Sequence, residues 1–553
     1  MTVIRDFTHA QKRAFEAPNR SIVVSAAAGS GKTSVLIEKY TRLLLEGNAP
    51  ERILVITFTR KAAAQLRERA MKALSKSGDP NLAKLLPQVA QAPISTIHSF
   101  CSSLIREFAP IAGIDPGFGS LEEVEANELL TQAYERTVNR YSQDERRVAD
   151  YELLQRIFGS GRSDESLRAL VFMLHEFLRR LPNPEERTRE WLATYEEAST
   201  AKDFASTKWG SLYLYALGAE LDVWKRKFDK LVDEFDGIAV PAKWREIFGN
   251  DIRVIASIFD AFPDLDAMAR IADVKWQRSP NKLKDDERAN AWKDRFGEFR
   301  KQFSVQQSGS FARGWLIPSA TLLSDLRRFH ESGALEGLMR LTDDFGETYA
   351  RMKRMTRSLD FADLIVYAYR LIADSKPTDE SAGEAEAASR KADVYTALTT
   401  RYSHILMDEY QDTNPIQDEI VNMLAQTPNV QVFRVGDIKQ SIYRFQHAEP
   451  DLIRERYDRS EDSSDAVERR VDLPDNFRSV SPVVDFVNAV FSRLMTEDFG
   501  CVNYNAGHAL VSRYAEKHQE QGFTDDYPSV SIRLVIDSRD ADGAPDAPQR
   551  APG

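Results

Sequence analysis

Eight residues constrain this chain more than any others: Ala26–Thr33, reading A-A-A-G-S-G-K-T, between the β-branched run Ser21–Ser25 (S-I-V-V-S) and the helical stretch Ser34–Leu45. A strand that turns through glycines straight into a helix aims backbone N–H groups outward at the positive end of that helix. Such a loop, here Ala26, Ala27, Ala28, Gly29, Ser30 and Gly31, cradles phosphates; Lys32 can reach the β- and γ-phosphates, and Thr33 can place its hydroxyl on Mg²⁺. The generic pattern has glycine where Ala26 stands. A second strand, Arg52–Thr57 (R-I-L-V-I-T), and an Ala-rich helix, Lys61–Leu74, repeat the alternation. Strands alternating with helices predict an α/β fold with a parallel sheet and right-handed crossovers.

A phosphate loop needs an acidic residue at the end of a later strand. Ile405–Glu409 (I-L-M-D-E) supplies two. Asp408 can hold Mg²⁺ through its water shell and Glu409 can orient an attacking water, so ATP and Mg²⁺ are the expected ligands. Between the two halves, from about residue 108 to 400, apolar residues recur at helical spacing, as in Leu167–Leu181 and Leu322–Leu341. This texture predicts a large α-helical insertion. Gln277–Arg288 and Lys376–Arg390 read as loosely structured. Strand patterns return at Ser403–Met407 and Val430–Val435, and a further one stands at Ser529–Ile536. The Asp-, Ala-, Pro- and Gly-rich tail 537–553 is expected to be disordered.

Composition excludes less than it suggests. The two cysteines, Cys101 and Cys501, cannot build a disulfide framework or a four-thiolate zinc site, and their scarcity fits a reducing compartment. No apolar run approaches the roughly 18 residues of a membrane span, and Met1–Ala10 lacks a signal-peptide core, so a cytoplasmic chain without membrane contact is expected. The net charge of −11 argues against a polyanionic partner, yet Met1–Pro110 carries 16 Lys and Arg against 8 Asp and Glu. Because salt confines distant charges to about 8–10 Å, that basic region can still meet nucleic acid.

Neighbouring motifs separate the many kinds of phosphate-loop ATPase. Asp408–Asn414 reads D-E-Y-Q-D-T-N, and Val435–Phe445 reads V-G-D-I-K-Q-S-I-Y-R-F. With T-F-T-R-K-A-A-A at Thr57–Ala64, T-I-H-S-F at Thr96–Phe100 and N-F-R-S at Asn476–Ser479, the chain resembles superfamily 1 DNA helicases of the UvrD/Rep class. Ala448-Glu449-Pro450, Leu359–Ile365 (L-D-F-A-D-L-I) and the long helical region look more like the AddA/RecB branch, the helicase subunits of double-strand-break processing complexes. The resemblance implies an ATP-driven motor running 3′ to 5′ on single-stranded DNA. It further implies duplex ends as substrate and, for a partner, an AddB-like nuclease subunit.

The resemblance also implies roles. Gln11 would read adenine through its amide, Gln440 would sense the γ-phosphate, Arg478 would act as an arginine finger, and Phe477 would stack on the base. Phe58, His98, Tyr443 and Phe445 stand at positions near the DNA track, with Thr59, Arg60, Lys61 and Arg444 available for phosphates. Seen alone, Gln11 reads as a surface residue, and each of the four rings as core or support. Trp276, Trp292 and the lysines between Lys275 and Lys301 suggest another contact surface, although a solvated helical face is the plainer reading. The chain departs from the family pattern at Arg60, Gln65, Gln446 and His447.

The expected architecture is a RecA-like domain over 1–107 and 401–470, a helical insertion over 108–400, the start of a second RecA-like domain over 471–536, and the tail. The later motifs of a complete second domain are missing, so the chain reads as the N-terminal half of a helicase. The alternative to a motor is a truncated ATP- and DNA-binding piece without translocation of its own. A small-molecule kinase is disfavoured by the glutamine after V-G-D-I-K.

Overall fold

The computed structural model describes residues 7–18, 21–159, 163–284, 286–375, 394–442, 448–463, 465–496, 502–504 and 508–514. The chain divides into two units, one formed by 1–126, 179–182 and 353–553, the other by 127–178 and 183–352.

The first unit is built on a six-stranded parallel sheet. Its strands are β1 (Ser21–Ala26), β2 (Ile53–Thr57), β3 (Ile94–Thr96), β4 (His404–Met407), β5 (Gln431–Gly436) and β6 (Glu468–Leu473), in the spatial order β3-β2-β4-β5-β1-β6. Strands buried on both faces need apolar residues at every position, not alternate ones. All five residues of β2 and all four of β4 are buried accordingly. One core cluster gathers Leu54, Ile56, Phe100, Leu364, Ile405 and Ile420, and another gathers Ile22, Val24, Val35, Tyr40, Val55 and Phe433. Even and odd positions of β2 therefore feed opposite clusters, one on each side of the sheet.

Two strands escaped the sequence reading. β3 has three residues, too few to show a pattern. β6 reads E-R-R-V-D-L and lies at the sheet edge, pairing within the sheet with β1 from Ser21↔Glu468 to Ala26↔Leu473, while Glu461 bridges to its other side at Arg469. Charged side chains suit an edge strand, which has one neighbour in the sheet where an inner strand has two. A boundary at residue 470 therefore runs through a strand of the first sheet.

The second unit is helical among its described residues. The stretch Leu322–Leu341 is two helices, Ser319–Glu331 and Ala334–Met355, separated at Ser332–Gly333. The helix over Leu167–Leu181 spans Glu165–Leu178. Residues 277–284 are irregular and a helix begins at Glu287, inside the stretch read as loose. Lys376–Arg390, Ser529–Ile536 and the tail 537–553 lie outside the described residues.

Trp292 does not face DNA or solvent, although Arg288, Arg295, Glu298 and Lys301 of its helix are exposed. Its ring is fully buried, stacks on Phe235 at 4.4 Å and Phe296 at 4.8 Å, and its Nε1–H donates to Leu231 O at 2.7 Å. Trp276 packs half-buried against the same cluster. An indole is kept inside when its one polar atom finds a carbonyl. Trp292→Ala should cost about 3–5 kcal/mol of stability through cavity and lost hydrogen bond; a chemical-denaturation midpoint unchanged from wild type would contradict this packing.

Candidate active site

In a parallel sheet every strand ends on the same edge, so the segments following β1, β2, β4, β5 and β6 converge there. The loop after β1 turns through Gly29 (φ +75°) and Gly31 (φ +86°), left-handed conformations that disfavour any side chain. Gly31 caps the helix Lys32–Leu45 without a side-chain bond, which leaves the positive helix end open, and the Ser30 hydroxyl is buried with no partner. A Cβ at Gly29 would lie 2.9 Å from Arg478 Cβ and 3.1 Å from the Asn476 amide.

That contact is held by two hydrogen bonds, and a third folds the segment on itself. Asn476 Nδ2 donates to Ala28 O at 2.8 Å, Phe477 N–H to Gly29 O at 3.0 Å, and Arg478 N–H to Asn476 Oδ1 at 2.9 Å. Phe477 is half-buried and Arg478 exposed. On the other flank Gln11 is buried, donating Nε2 to Ser30 O at 2.8 Å and accepting Thr8 N–H on Oε1 at 3.0 Å. The plain surface reading of Gln11 is thus wrong, because its amide caps its own helix and clasps the loop.

Lys32 points across to the ends of β4 and β5. Its Nζ lies 3.1 Å from Glu409 Oε2 and 3.2 Å from Gln440 Oε1. Glu409 adopts φ +51°, a left-handed conformation that costs a non-glycine residue energy and is found where function holds it. Asp408 N–H donates to Ile56 O, fixing the turn to β2. Burial, reinforced by the Glu409 charge, pushes the Asp408 carboxyl up to about 6; the same two causes push Asp412 up to about 6. A triphosphate fits the open helix end, the two left-handed glycines and the unpartnered Ser30 hydroxyl. A divalent cation fits the Thr33 hydroxyl and the Asp408 carboxylate, whose charge burial leaves in need of compensation.

The nucleic-acid candidates follow β2 and β3, adjacent strands with Thr57 paired to Thr96. Phe58 is half-buried. The Thr59 side chain accepts Ala62 N–H at 3.0 Å and caps the helix Arg60–Lys76, where Arg60 and Lys61 sit exposed in a first turn without acidic residues. His98 meets Phe361 edge-on at 5.7 Å, and burial, with Arg180 nearby, lowers its pKa, so it is a neutral ring at physiological pH. Tyr443, Arg444, Phe445, Gln446 and His447 lie outside the described residues.

Comparison with known proteins matches residues 7–241 and 257–460 to the UvrD/REP helicase N-terminal domain. The chain belongs to the UvrD/Rep helicase family. Among its relatives are proteins named as the A component of an ATP-dependent helicase/nuclease. The one from Desulforudis audaxviator is 32% identical over 92% of this chain and 41% of its own length. That from Acetivibrio thermocellus is 30% identical over 91% and 40%, and that from Bacillus licheniformis 31% over 90% and 40%. The chain thus spans about 40% of the length of the curated relatives it matches.

For this UvrD/Rep-family chain, sequence reasoning assigned no role to four residues the structure brings to the site: Gln411 on Glu409, Asp437 on Gln440, Asn476 on the loop and Phe361 on His98. All four stand inside motifs that the sequence makes conspicuous. What was missing was the partner of each, which spacing does not disclose.

The Asp408 shift carries a sign. Its folded pKa lies above the unfolded value near 4, so ionised Asp408 disfavours the nucleotide-free fold, fully above pH 6 and not at all below about pH 4. Asp408→Asn should therefore stabilise that form at pH 8 by up to about 3 kcal/mol, at roughly 1.4 per unit. Denaturation midpoints without nucleotide or magnesium should converge with wild type near pH 4; a gain that persists there would refute the assignment.

Proposed function

We propose that this chain is the ATP-hydrolysing portion of a DNA helicase that works in double-strand-break repair and recombination. The observation that carries the reading is the meeting of Lys32, Glu409 and Gln440 opposite a phosphate loop to which the Asn476–Arg478 segment is hydrogen-bonded. Glu409 takes the proton of the attacking water. Lys32 leaves its carboxylate partner for the phosphates and, with Arg478, stabilises charge on the transferring phosphoryl group. Thr33 and Asp408 would hold Mg²⁺, which would supply charge neutralisation at the phosphates. Gln440 answers to the γ-phosphate, while Gln11 and Phe477 receive the adenine, Gln11 by exchanging its present bonds for the base edge.

Single-stranded DNA crosses the face beyond β2 and β3, stacking on Phe58 and His98 and, by the family resemblance, on Tyr443 and Phe445. Arg60 and Arg444 meet phosphates and Thr59 adds its hydroxyl. Two cations in the first turn of a helix oppose the macrodipole, an arrangement that favours an anionic ligand. The helical unit is an insertion into a RecA-like domain, and residues beyond β6 begin a second one. The relatives carry the name of one component of a helicase/nuclease, which supports an assembly with a nuclease partner. The family resemblance supports 3′ to 5′ movement in the cytoplasm. No helix among the described residues is long and apolar enough to cross a membrane.

Steady-state hydrolysis with and without oligo(dT), beside nucleotide binding, tests this reading. Glu409→Gln should lower turnover by about 100-fold or more with nucleotide still bound, and Lys32→Ala should be the blank. Normal turnover in Glu409→Gln removes that residue from its role. Binding without hydrolysis in the wild type favours the alternative, an ATP- and DNA-binding piece, which the chain's 40% span of its relatives makes specific. On the DNA side, Arg60→Ala should weaken oligo(dT) binding by fluorescence anisotropy and flatten the salt dependence by about one unit of slope. An unchanged slope would place Arg60 off the backbone track.

A further inference from the structure

Gln411 is buried, and both ends of its amide are engaged. Nε2 donates to Glu409 Oε2 at 2.8 Å and, at 3.3 Å, to Asp412 Oδ2; Oε1 accepts Asp437 N–H at 2.9 Å. The Asp437 carboxylate accepts Gln440 Nε2–H at 2.7 Å. Lys32 then joins Gln440 to Glu409, at 3.2 and 3.1 Å. The five residues form a closed ring, Lys32–Glu409–Gln411–Asp437–Gln440, in which each link is a hydrogen bond.

Two further features are fitted to this amide. A Cβ at Gly436 would stand 2.8 Å from Gln411 Oε1 and 2.8 Å from Ile453 Cδ1, so the close approach requires glycine at the end of β5. Ser441, beyond Gln440, donates its hydroxyl to Gln411 O at 3.2 Å. Only a glutamine serves this place: a donor must face the Glu409 carboxylate while an acceptor faces a backbone N–H. Glutamate offers acceptors to both, asparagine is one methylene short, and an apolar residue leaves a buried N–H unpaired.

We propose that Gln411 is a positioning residue, which fixes the Glu409 carboxylate and ties it to the loop bearing Gln440, so that contact with the terminal phosphate at Gln440 reaches the water-activating group. The proposal rests on the reading of Glu409 as the general base. When phosphate draws Lys32 out of the ring, Glu409 loses its cation. The Gln411 amide is then the hydrogen bond that still holds the carboxylate in place.

Gln411→Met keeps the volume and removes both polar ends; Gln411→Asn keeps the chemistry and shortens the reach. Both should bind a fluorescent ATP analogue within about threefold of wild type and lose about 10- to 100-fold in kcat, the scale of a catalytic group displaced by about 1 Å. Combined with Gln440→Ala, the effects on kcat should fall short of additive, as expected of residues in one network. In hydrogen exchange read by mass spectrometry, Gln411→Met should speed exchange over residues 437–441. Turnover retained by both variants, full additivity with Gln440→Ala, or unchanged exchange overturns the proposal. A wild-type chain that does not hydrolyse ATP instead counts against the reading of the site, and the exchange measurement then decides the Gln411 link by itself.

Discussion

The Lys32 ammonium is the point on which the first unit's chemistry turns. It comes from the helix after β1, yet its partners sit 377 and 408 residues further along, at the ends of β4 and β5. Those three strand ends stand side by side because the sheet is parallel throughout, and because the order β4-β5-β1 sets β5 between the acidic segment after β4 and the loop after β1. An antiparallel strand anywhere in that trio would carry one of them to the opposite edge. The cation also settles a problem of charge: Asp408, Glu409 and Asp412 lie within five residues, and the first and last are pushed towards neutrality by burial and by Glu409. Lys32 is the counter-charge that lets them coexist in this fold.

How much of this was legible depended on whether the cause was local. The loop Ala26–Thr33 declares itself because turn geometry, helix end and lysine are all within eight residues. The strands β1, β2, β4 and β5 are legible because each is buried on both faces and so carries consecutive apolar residues, with few polar ones such as Arg434 among them. β6 was illegible for the converse reason: Glu468, Arg469 and Arg470 give it no apolar run, and the groups that hold Glu468, Ser21 and Arg456, meet it only through the fold. Trp292 was misread because most charged residues around it on the helix Glu287–Lys301 are solvent-facing, while Trp292, Phe296 and Phe299 point inward with Ala289 and Arg300. Gln411 stands in a recognised motif, but its partners Glu409 and Asp437 meet it only through the fold.

Beneath the ring lies a second arrangement that fixes the same backbone from the other side. Tyr410, next to Glu409, is buried and donates its hydroxyl to Asp418 Oδ1 at 2.9 Å while accepting Arg456 Nε–H at 2.9 Å. Arg456 continues to Asp418 at 3.2 Å and to Glu468 of β6 at 2.9 Å, and Ser21 of β1 donates to the same Glu468 oxygen at 2.6 Å. Arg434, fully buried in β5, donates to Asn422 at 2.9 Å. Burial raises the Asp418 and Glu468 carboxyls, yet the arginines outweigh it and hold both below their ordinary values.

Such a cluster is a poor means of adding stability, since desolvating two guanidinium groups offsets most of their attraction, whereas losing one partner costs about 3–5 kcal/mol. What it adds is definition. An apolar core would let β6 slide along β1, whose inward residues Ile22, Val23 and Val24 are interchangeable in shape; Glu468, bound to both Ser21 and Arg456, has one register. β6 runs directly into Asn476–Arg478, the segment bonded to the phosphate loop, so a slip of one residue would displace Arg478 by more than about 3 Å along the strand. The buried charges thus set the position of an exposed arginine, and through Tyr410 they set it relative to Glu409.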